Sequence, residues 1–416
     1  MKKLWLFLLC SLPVYVHAQH SESDHQELNK LPPVNIRQLL SQSSSILPDN
    51  QSAVQQLDSV IFTGTIGRSK KKLFDYNAIG NVIQRTEFDW DPQSGLWRQS
   101  TQYEMNYTSQ NKPSFVVKYQ WNDKLNSWIK HQKNETIYHS NGNPVLTVDY
   151  VWDERLNDWQ EFSKLQVMFD INGVPISETH FNRNLSTNQW ENGEQKETRY
   201  DWLGNMTMEL RSTWDSQTNS RVNNEKQSII YGPQHYVTIE NYNWDIRLNT
   251  WIQEQSYKYV RDSKNNYTPV ELFDGFTQTN EWTNRERYDF TFDANGNIEI
   301  AEGFQWNVQS NSWERSSQYN YSYDANNNII AIENYVYDSL SDEWKGYYKT
   351  TYAFDEGDRK MNEVHYNWDD QSKTWIYGIK NDYTYTKSGN LQTDNFSYWV
   401  NNSWVISSTE TFYYHE

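Results

Sequence analysis

A turn signal recurs at almost constant spacing through most of this chain. Aligned on the residue that opens it, the signal sits at Tyr76, Tyr107, Tyr138, Phe169, Tyr200, Tyr231, Arg261, Phe292, Tyr323, Phe354 and Tyr385. Successive positions lie 31 residues apart, with one spacing of 30 between Tyr231 and Arg261. Eleven copies therefore fill residues 76–416. A chain built this way folds as an array in which each copy covers the flank of the next.

Each copy carries two kinds of turn. The first reads FDANGN at Phe292, YDWLGN at Tyr200, YHSNGN at Tyr138 and YNAIGN at Tyr76. An Asp or Asn that tolerates turn geometry, followed by a Gly or Asn that accepts positive φ, predicts a type I turn closed by a G1 bulge. The second reads WNDKLNSW at Trp121, WDERLNDW at Trp152, WDIRLNTW at Trp244, WNVQSNSW at Trp306 and WDDQSKTW at Trp368. Two tryptophans seven apart around a polar loop predict a hairpin with about four loop residues and a Trp at the end of each strand. HFNRNLSTNQW at His180 and LFDGFTQTNEW at Leu272 suggest longer loops, and Trp399 and Trp404 a tighter one.

Between the turns the pattern alternates with period two. Ile298, Ile300, Phe304 and Trp306 share one parity, and Trp313, Tyr319, Tyr321 and Tyr323 share another on the following strand. With Trp306 opposite Trp313 and Tyr323 opposite Ile329, one aromatic face is expected to continue from copy to copy. The first strand, Ile298 to Trp306, is two residues shorter than the second, Trp313 to Tyr323. The ladder should therefore step by about two residues per copy and coil. The expected fold is all-β, an antiparallel meander of eleven two-strand repeats coiled into a spiral or shell, with a closed large β-barrel as the alternative.

The remaining organisation follows from composition. Residues 1–18 combine two lysines, a short apolar run and a Val-His-Ala end, the pattern of a secretory signal peptide. Its Cys10 is the chain's one cysteine, and the preceding Leu8 and Leu9 are a poor lipoprotein box. Residues 19–58 read as a polar arm or linker, 59–75 as lead-in strand, and 76–416 as the repeat domain. The lysine run Lys70 to Lys72 is expected to blunt an exposed sheet edge. A net charge of −17 argues against a nucleic-acid partner. A mean hydropathy of −0.96 alone suggests disorder, but aromatics at 16% of residues and the strict period overrule it.

Little in the chain has the pattern of catalysis. No HxxxH pair, phosphate-cradling glycine loop or GxSxG elbow occurs in the repeats, and zinc is not expected. The turn from Asp293 to Asn297 places oxygens at alternate positions like the start of a calcium loop, but turn chemistry explains them without a cofactor. Glu161, Glu302 and Glu333 share the parity of the aromatic face and are the carboxylates from which a glycosidase pair could be built. The candidate binding residues are the paired rings Trp121, Trp128, Trp152, Trp159, Trp244, Trp251, Trp306, Trp313, Trp368 and Trp375. Flat apolar rings with a polar edge suit sugar stacking or a protein partner, and equally suit a cross-strand lock.

The aromatic strand closed by a YD..GN turn, as at Tyr323-Asp324, Phe292-Asp293 to Asn297 and Tyr200-Asp201, resembles the YD or RHS repeat family. The resemblance covers residues 76 to about 416 and implies a long β-meander coiled into a shell on secreted or cell-surface proteins. The 31-residue period, the added Trp-to-Trp hairpin and the absence of an RHS core segment depart from it, so toxin encapsulation is not carried over. The leader and the Asn-, Tyr- and Trp-rich repeats also resemble secreted proteins of Bacteroidetes bacteria. The sequence is expected to encode an exported scaffold (extracellular, cell-surface or periplasmic) that binds a glycan or a surface protein. It is expected not to be an enzyme and not to span the membrane. A polysaccharide-acting enzyme and an outer-membrane barrel are the alternatives.

Overall fold

A computed structural model describes residues 55–64, 69–184, 187, 189–232, 236–261, 267–276 and 281–415, with backbone alone at 236, 257, 259–261, 267–276 and 281–284. The signal-peptide pattern, Cys10 and the polar arm up to residue 54 lie outside the described residues. Within them there are 24 strands, all in one antiparallel sheet, and no helix. Each of the eleven copies is a ten-residue strand followed by a twelve-residue strand, from β3 (Val82–Asp91) and β4 (Leu96–Tyr107) to β23 (Leu391–Val400) and β24 (Ser403–Tyr414). Ahead of them β1 (Leu57–Gly64) and β2 (Lys70–Tyr76) form a twelfth, shorter hairpin.

The turns form as their residues dictate. In the turn at Phe292, Gly296 N–H donates to the Asp293 carbonyl at 3.1 Å and Asp293 N–H to the Asn297 carbonyl at 2.8 Å. Gly296 sits at φ +88°, where the absence of a Cβ is an advantage. The Asp293 carboxylate accepts from Asn295 N–H at 2.9 Å, Asn297 N–H at 2.8 Å and the Asn297 amide at 3.0 Å. The Asn297 amide also donates to Asn327 Oδ1 in the next turn at 3.0 Å, and Asn328 reaches Asp358 in the same way at 2.8 Å. These bonds lace neighbouring turns together on one rim of the sheet. On the other rim Asn311 takes positive φ in its four-residue loop, and Asn401 and Asn402 both do so in the two-residue loop, a type I′ turn.

The ladder steps as the strand lengths require. Val117 lies opposite Glu104 and Glu104 opposite Gln84, whereas the residue 31 before Val117 is Thr86. Each hairpin therefore advances the register by two residues, and the meander coils. The coil brings its ends together, because β1 pairs with β24 as well as with β2. Leu57 faces Tyr414 as Leu391 faces Tyr385, with a bulge at the same point. His415 N–H donates to the Gln56 carbonyl at 2.9 Å, as Asp293 donates to Asn297 elsewhere. The chain ends reproduce a repeat junction without a connecting turn, so each of the 24 strands has hydrogen-bonded neighbours on both sides.

This closure corrects one expectation. The Lys70 to Lys72 run lies in β2, between β1 and β3, and not at a free edge. Lys70 pairs with Asp89 at 3.6 Å and Lys71 lies over the Phe88 ring. The loops near His180 and Leu272 are not longer either. The strands there end at Asn184 and Phe276 and resume at Gln189 and Glu281, and what is missing is the first Trp, replaced by Arg183 and Gly275.

A second correction concerns the faces. In the hairpin of β17 (Ile298–Asn307) and β18 (Ser312–Tyr323), Phe304 faces Arg315 but Gly303 faces Ser317, leaving Ser316 as a β-bulge. One extra residue reverses the parity of everything beyond it. Trp306, Trp313 and Phe304 share one face, while Tyr319 lies opposite the fully buried Ala301 on the other. Aromatic rings therefore line both faces: tryptophans near one rim, and tyrosines of the second strands on the opposite side.

Candidate binding face

All ten candidate tryptophans sit where the two strands of a hairpin meet their loop, and each faces its partner across the ladder. Trp121 and Trp128, Trp152 and Trp159, Trp244 and Trp251, Trp306 and Trp313, and Trp368 and Trp375 all pack edge to face. Their ring centroids are 5.0–5.2 Å apart and their planes cross at 71–74°. Trp90 with Trp97, Trp399 with Trp404, and Tyr337 with Trp344 repeat the arrangement. This is the T-shaped geometry that ring quadrupoles favour. All ten rings are half-buried.

What covers them comes from neighbouring hairpins. Lys130 lies 4.2 Å from the Trp152 ring of the following hairpin, and Lys164 lies 4.3 Å from Trp190. Tyr335 packs against Trp375 at 5.8 Å and Tyr377 against Trp399 at 4.8 Å. Further from the loop, Lys133 sits 4.0 Å from the Tyr150 ring and pairs with Glu135 at 2.9 Å, while Tyr150 donates to the same carboxylate at 2.8 Å. Rings, ammonium groups and carboxylates thus form a mesh that the sheet makes with itself. Cation–π contacts of this kind contribute about 0.5–1 kcal/mol each at exposed sites. The role of the mid-strand lysines has one sequence signal, the recurrence of Lys at positions 133, 164 and 226.

The carboxylates are occupied in the same way. Glu161 pairs with Arg183, Glu302 with Arg315 at 3.1 Å, and Glu333 with Lys349 at 2.7 Å while accepting from the Tyr335 hydroxyl at 2.8 Å. Glu302 lies on β17 and Glu333 on β19 (Ile329–Asp338), with β18 between them. The structure does not bring these glutamates together as facing partners. Among the described residues no group of three or more His, Cys, Asp and Glu side chains is arranged to hold a metal ion.

At the seam lies a hollow of about 670 Å³ lined by Leu57, Tyr76, Ile79 and Tyr414 with Gln56 and Asn390. The shared turn tyrosine is fixed there as elsewhere: Tyr76 donates to the Leu57 carbonyl at 2.7 Å, as Tyr323 does to Ile298 at 2.8 Å. Burial pushes the Tyr323 phenol up to about 12.

Two predictions arise from this geometry. In a double-mutant cycle on Trp306→Ala and Trp313→Ala, each single change should cost about 3–5 kcal/mol. The coupling between them should be about 0.5–1.5 kcal/mol if the pair is a lock. Equilibrium unfolding measures both, and additive effects would remove the lock.

The second concerns pH. Hydrogen bonds from Asn297 hold the Asp293 carboxyl below its ordinary value, and His365 and Lys360 hold Glu363 down at about 2. Carboxyls depressed in the folded state contribute stability above their unfolded values, roughly 3.9–4.3. That contribution is lost as pH falls through the folded values. Tyrosines raised by burial act in the opposite sense, contributing below about 10 and losing their contribution as pH rises toward 12. The thermal midpoint should be level near neutrality, drop steeply below about pH 4 and drop again above about pH 10. A midpoint unchanged at low pH would show that the turn carboxylates carry little of the stability.

No protein-family model matches the chain, and no curated protein matches it. Several solved structures share local likeness. A DUF3836 family protein from Bacteroides vulgatus is 27% identical over 21% of this chain and 89% of its own, with a TM-score of 0.19. A porin-like protein from Bacteroides uniformis is 10% identical over 60% of this chain and 94% of its own, with a TM-score of 0.26. The TcdB2-TccC3-TEV structure is 10% identical over 84% of this chain and 26% of its own, with a TM-score of 0.20. At these scores none of them bears on what this chain does.

Proposed function

We propose that this chain is a non-catalytic β-repeat scaffold, exported to the cell surface or periplasm, that presents binding surfaces for a protein or glycan partner. The observation that carries this reading is the self-saturation of the sheet. Every candidate glutamate is ion-paired and the Trp rings are engaged by one another, so the side chains that catalysis would need are committed to structure. The YD..GN turns support kinship with YD-type shells as part of the same proposal.

A lipid-embedded barrel needs one continuous apolar face. Here Lys133 and Lys349 lie mid-strand on the tryptophan face, and Lys118, Asp149, Arg211 and His365 on the other. Among the described residues no helix is long and apolar enough to cross a membrane.

The glycan form of the reading is favoured by Trp202, which is 90% exposed and free of the paired arrangement. The test is binding of the purified protein to a broad glycan array, with reducing-end assays on the same samples. Saturable binding without new reducing ends supports the scaffold. New reducing ends that disappear in Glu302→Gln would overturn it in favour of hydrolysis. If sugars bind through the paired rings, Trp306→Ala abolishes binding in protein that remains folded; if they bind through the free ring, Trp202→Ala does.

A further inference from the structure

The mesh on the tryptophan face leaves part of its charge unmatched. From β6 (Ser127–Tyr138) to β13 (Tyr236–Asp245), that face carries Lys130, Lys133, Lys164 and Arg183, then Arg199, Arg221 and Lys226. Against these seven basic groups the described residues set four carboxylates, Glu135, Glu161, Glu197 and Glu240. The opposite face of the same strands is acidic, with Asp149, Glu178, Glu209 and Glu225 mid-strand against Lys196 and Arg211. A chain of net charge −17 therefore still presents one locally cationic surface.

Repetition shows which of these cations lack a counter-charge. In three copies a mid-strand basic side chain pairs with an acid two residues on: Lys133 with Glu135 at 2.9 Å, Arg287 with Asp289, and Lys380 with Asp382 at 2.6 Å. Lys164 holds the same place in β8 (Asp158–Phe169), but two residues on stands Gln166. Its ammonium lies 4.6 Å from the Phe181 ring and 4.3 Å from Trp190, and no described carboxylate pairs with it. Lys130, exposed and 4.2 Å from the Trp152 ring, has no ion pair among the described residues either. An ammonium group that has exchanged part of its water for ring faces, with no protein anion beside it, favours an anion from solution. Lys130 and Lys164 each reach over the Trp of the hairpin that follows. The strip they mark runs from β6 to β10 (Gln189–Tyr200), four strand spacings or about 19 Å, wider than a small anion bridges.

Given the glycan form of the proposed function, on which this rests, we infer that the strip binds an extended polysaccharide bearing carboxylate or sulfate groups. The Lys130 and Lys164 ammonium groups take its anions, and the half-buried rings of Trp152, Trp159 and Trp190 meet its sugar faces. An acidic sugar offers an anionic edge and an apolar C–H face in one unit, which matches the mixture of ammonium groups and rings. Single-stranded nucleic acid also combines rings with anions, but it puts a phosphate on every unit. The acidic rim turns nearby, with Asp170 and Asp201, repel a chain that densely charged.

Titration calorimetry of the purified protein with polygalacturonate, with its methyl ester and with heparin tests this. Polygalacturonate should bind, more weakly as sodium chloride is raised. The ester, the same backbone without charge, should bind roughly tenfold more weakly, as should polygalacturonate to the Lys130→Gln, Lys164→Gln double variant. Heparin bound with the same dependence on the two lysines extends the strip's ligands from carboxylate to sulfate. Gln166→Glu is the decisive variant, because it rebuilds the Lys–acid pair of the other copies and leaves every ring in place. It should weaken polygalacturonate binding severalfold with the thermal midpoint unchanged or raised. Equal affinity for acid and ester overturns the anionic ligand and leaves the glycan reading standing. So does a glycan array that shows neutral sugars bound while neither polyanion binds; an array with no binding at all overturns the glycan reading as well. Polyanion binding unaffected by both Gln166→Glu and the double lysine variant overturns the strip as the site. Oligo(dT) held more tightly than either polysaccharide, and lost in the double lysine variant, would assign the strip to single-stranded nucleic acid instead.

Discussion

Removing the first strand, up to Gly64, should convert a monodisperse protein into one that aggregates or associates through its edges. β1 runs beside β24 from Leu57 to Gly64 and beside β2 from Ser59 to Phe62. Its loss leaves two strands with unpaired N–H and C=O groups, and such edges pair with whatever strand is offered. At about 0.5–1.5 kcal/mol net for each hydrogen bond, losing both ladders costs several kcal/mol. That is a large fraction of the roughly 5–15 kcal/mol typical of a folded domain. Burial of Val60, 6% exposed, goes with it. A synthetic peptide spanning Gln55 to Gly64 should add back as a strand and restore the thermal midpoint and the monodisperse state. The same peptide carrying Val60→Asp should not. If the truncated protein keeps the wild-type midpoint and stays monodisperse, the seam is not what holds the sheet together.

The importance of β1 is hard to read from the sequence. LDSVIFTG has neither the turn motif nor the Trp pair by which the other hairpins announce themselves. What identifies it is register: Leu57 takes the place of Leu391 opposite a turn tyrosine, a relation between residues far apart in sequence. The hairpins and turns were legible because Asp, Asn, Gly and Trp recur at fixed offsets and each has a local reason to be there. The two-residue step was legible from strand lengths, but it does not say how many copies bring the ends together.

The bulges were not legible. Ser316 occupies the same place as His131, Phe162, Tyr347 and Gly378, which share no chemistry. A bulge leaves a residue outside the pairing and so imposes little on its side chain. Parity counted through it puts Tyr319 on the wrong face. The candidate site was legible in its residues and not in their state. Sequence spacing places Trp306 beside Trp313, but only coordinates show that Lys130 and Tyr377 reach the rings of the next hairpin.

Gly346 gives the sharpest test of whether the tryptophans are locks. It lies opposite Tyr335 on β20 (Glu343–Phe354), the position held by Lys130, Arg315 and Tyr377 in other hairpins. Those side chains reach over their neighbours; here the space belongs to the next Trp pair. A Cβ on Gly346 would lie 2.3 Å from Trp368 Cε3 and 2.8 Å from Trp375 Cη2, well inside contact distance. In an ordinary strand, replacing Gly by Ala is favourable by roughly 0.5–1 kcal/mol. Here the sign should reverse, because the rings must tilt out of their 71° crossing or the strand must move, at a cost of about 1–3 kcal/mol. Gly346→Val should cost more. In a background that carries both Trp368→Ala and Trp375→Ala the clash is gone, and Gly346→Ala should return to neutral or stabilising, a coupling that unfolding measurements on the four proteins would read directly. If Gly346→Ala destabilises equally in both backgrounds, the Trp pair is not what fills the site. The cycle also separates lock from ligand site. Partner binding that survives Gly346→Ala while stability falls would place recognition away from these rings, whereas parallel loss of both would return the tryptophans to the binding surface.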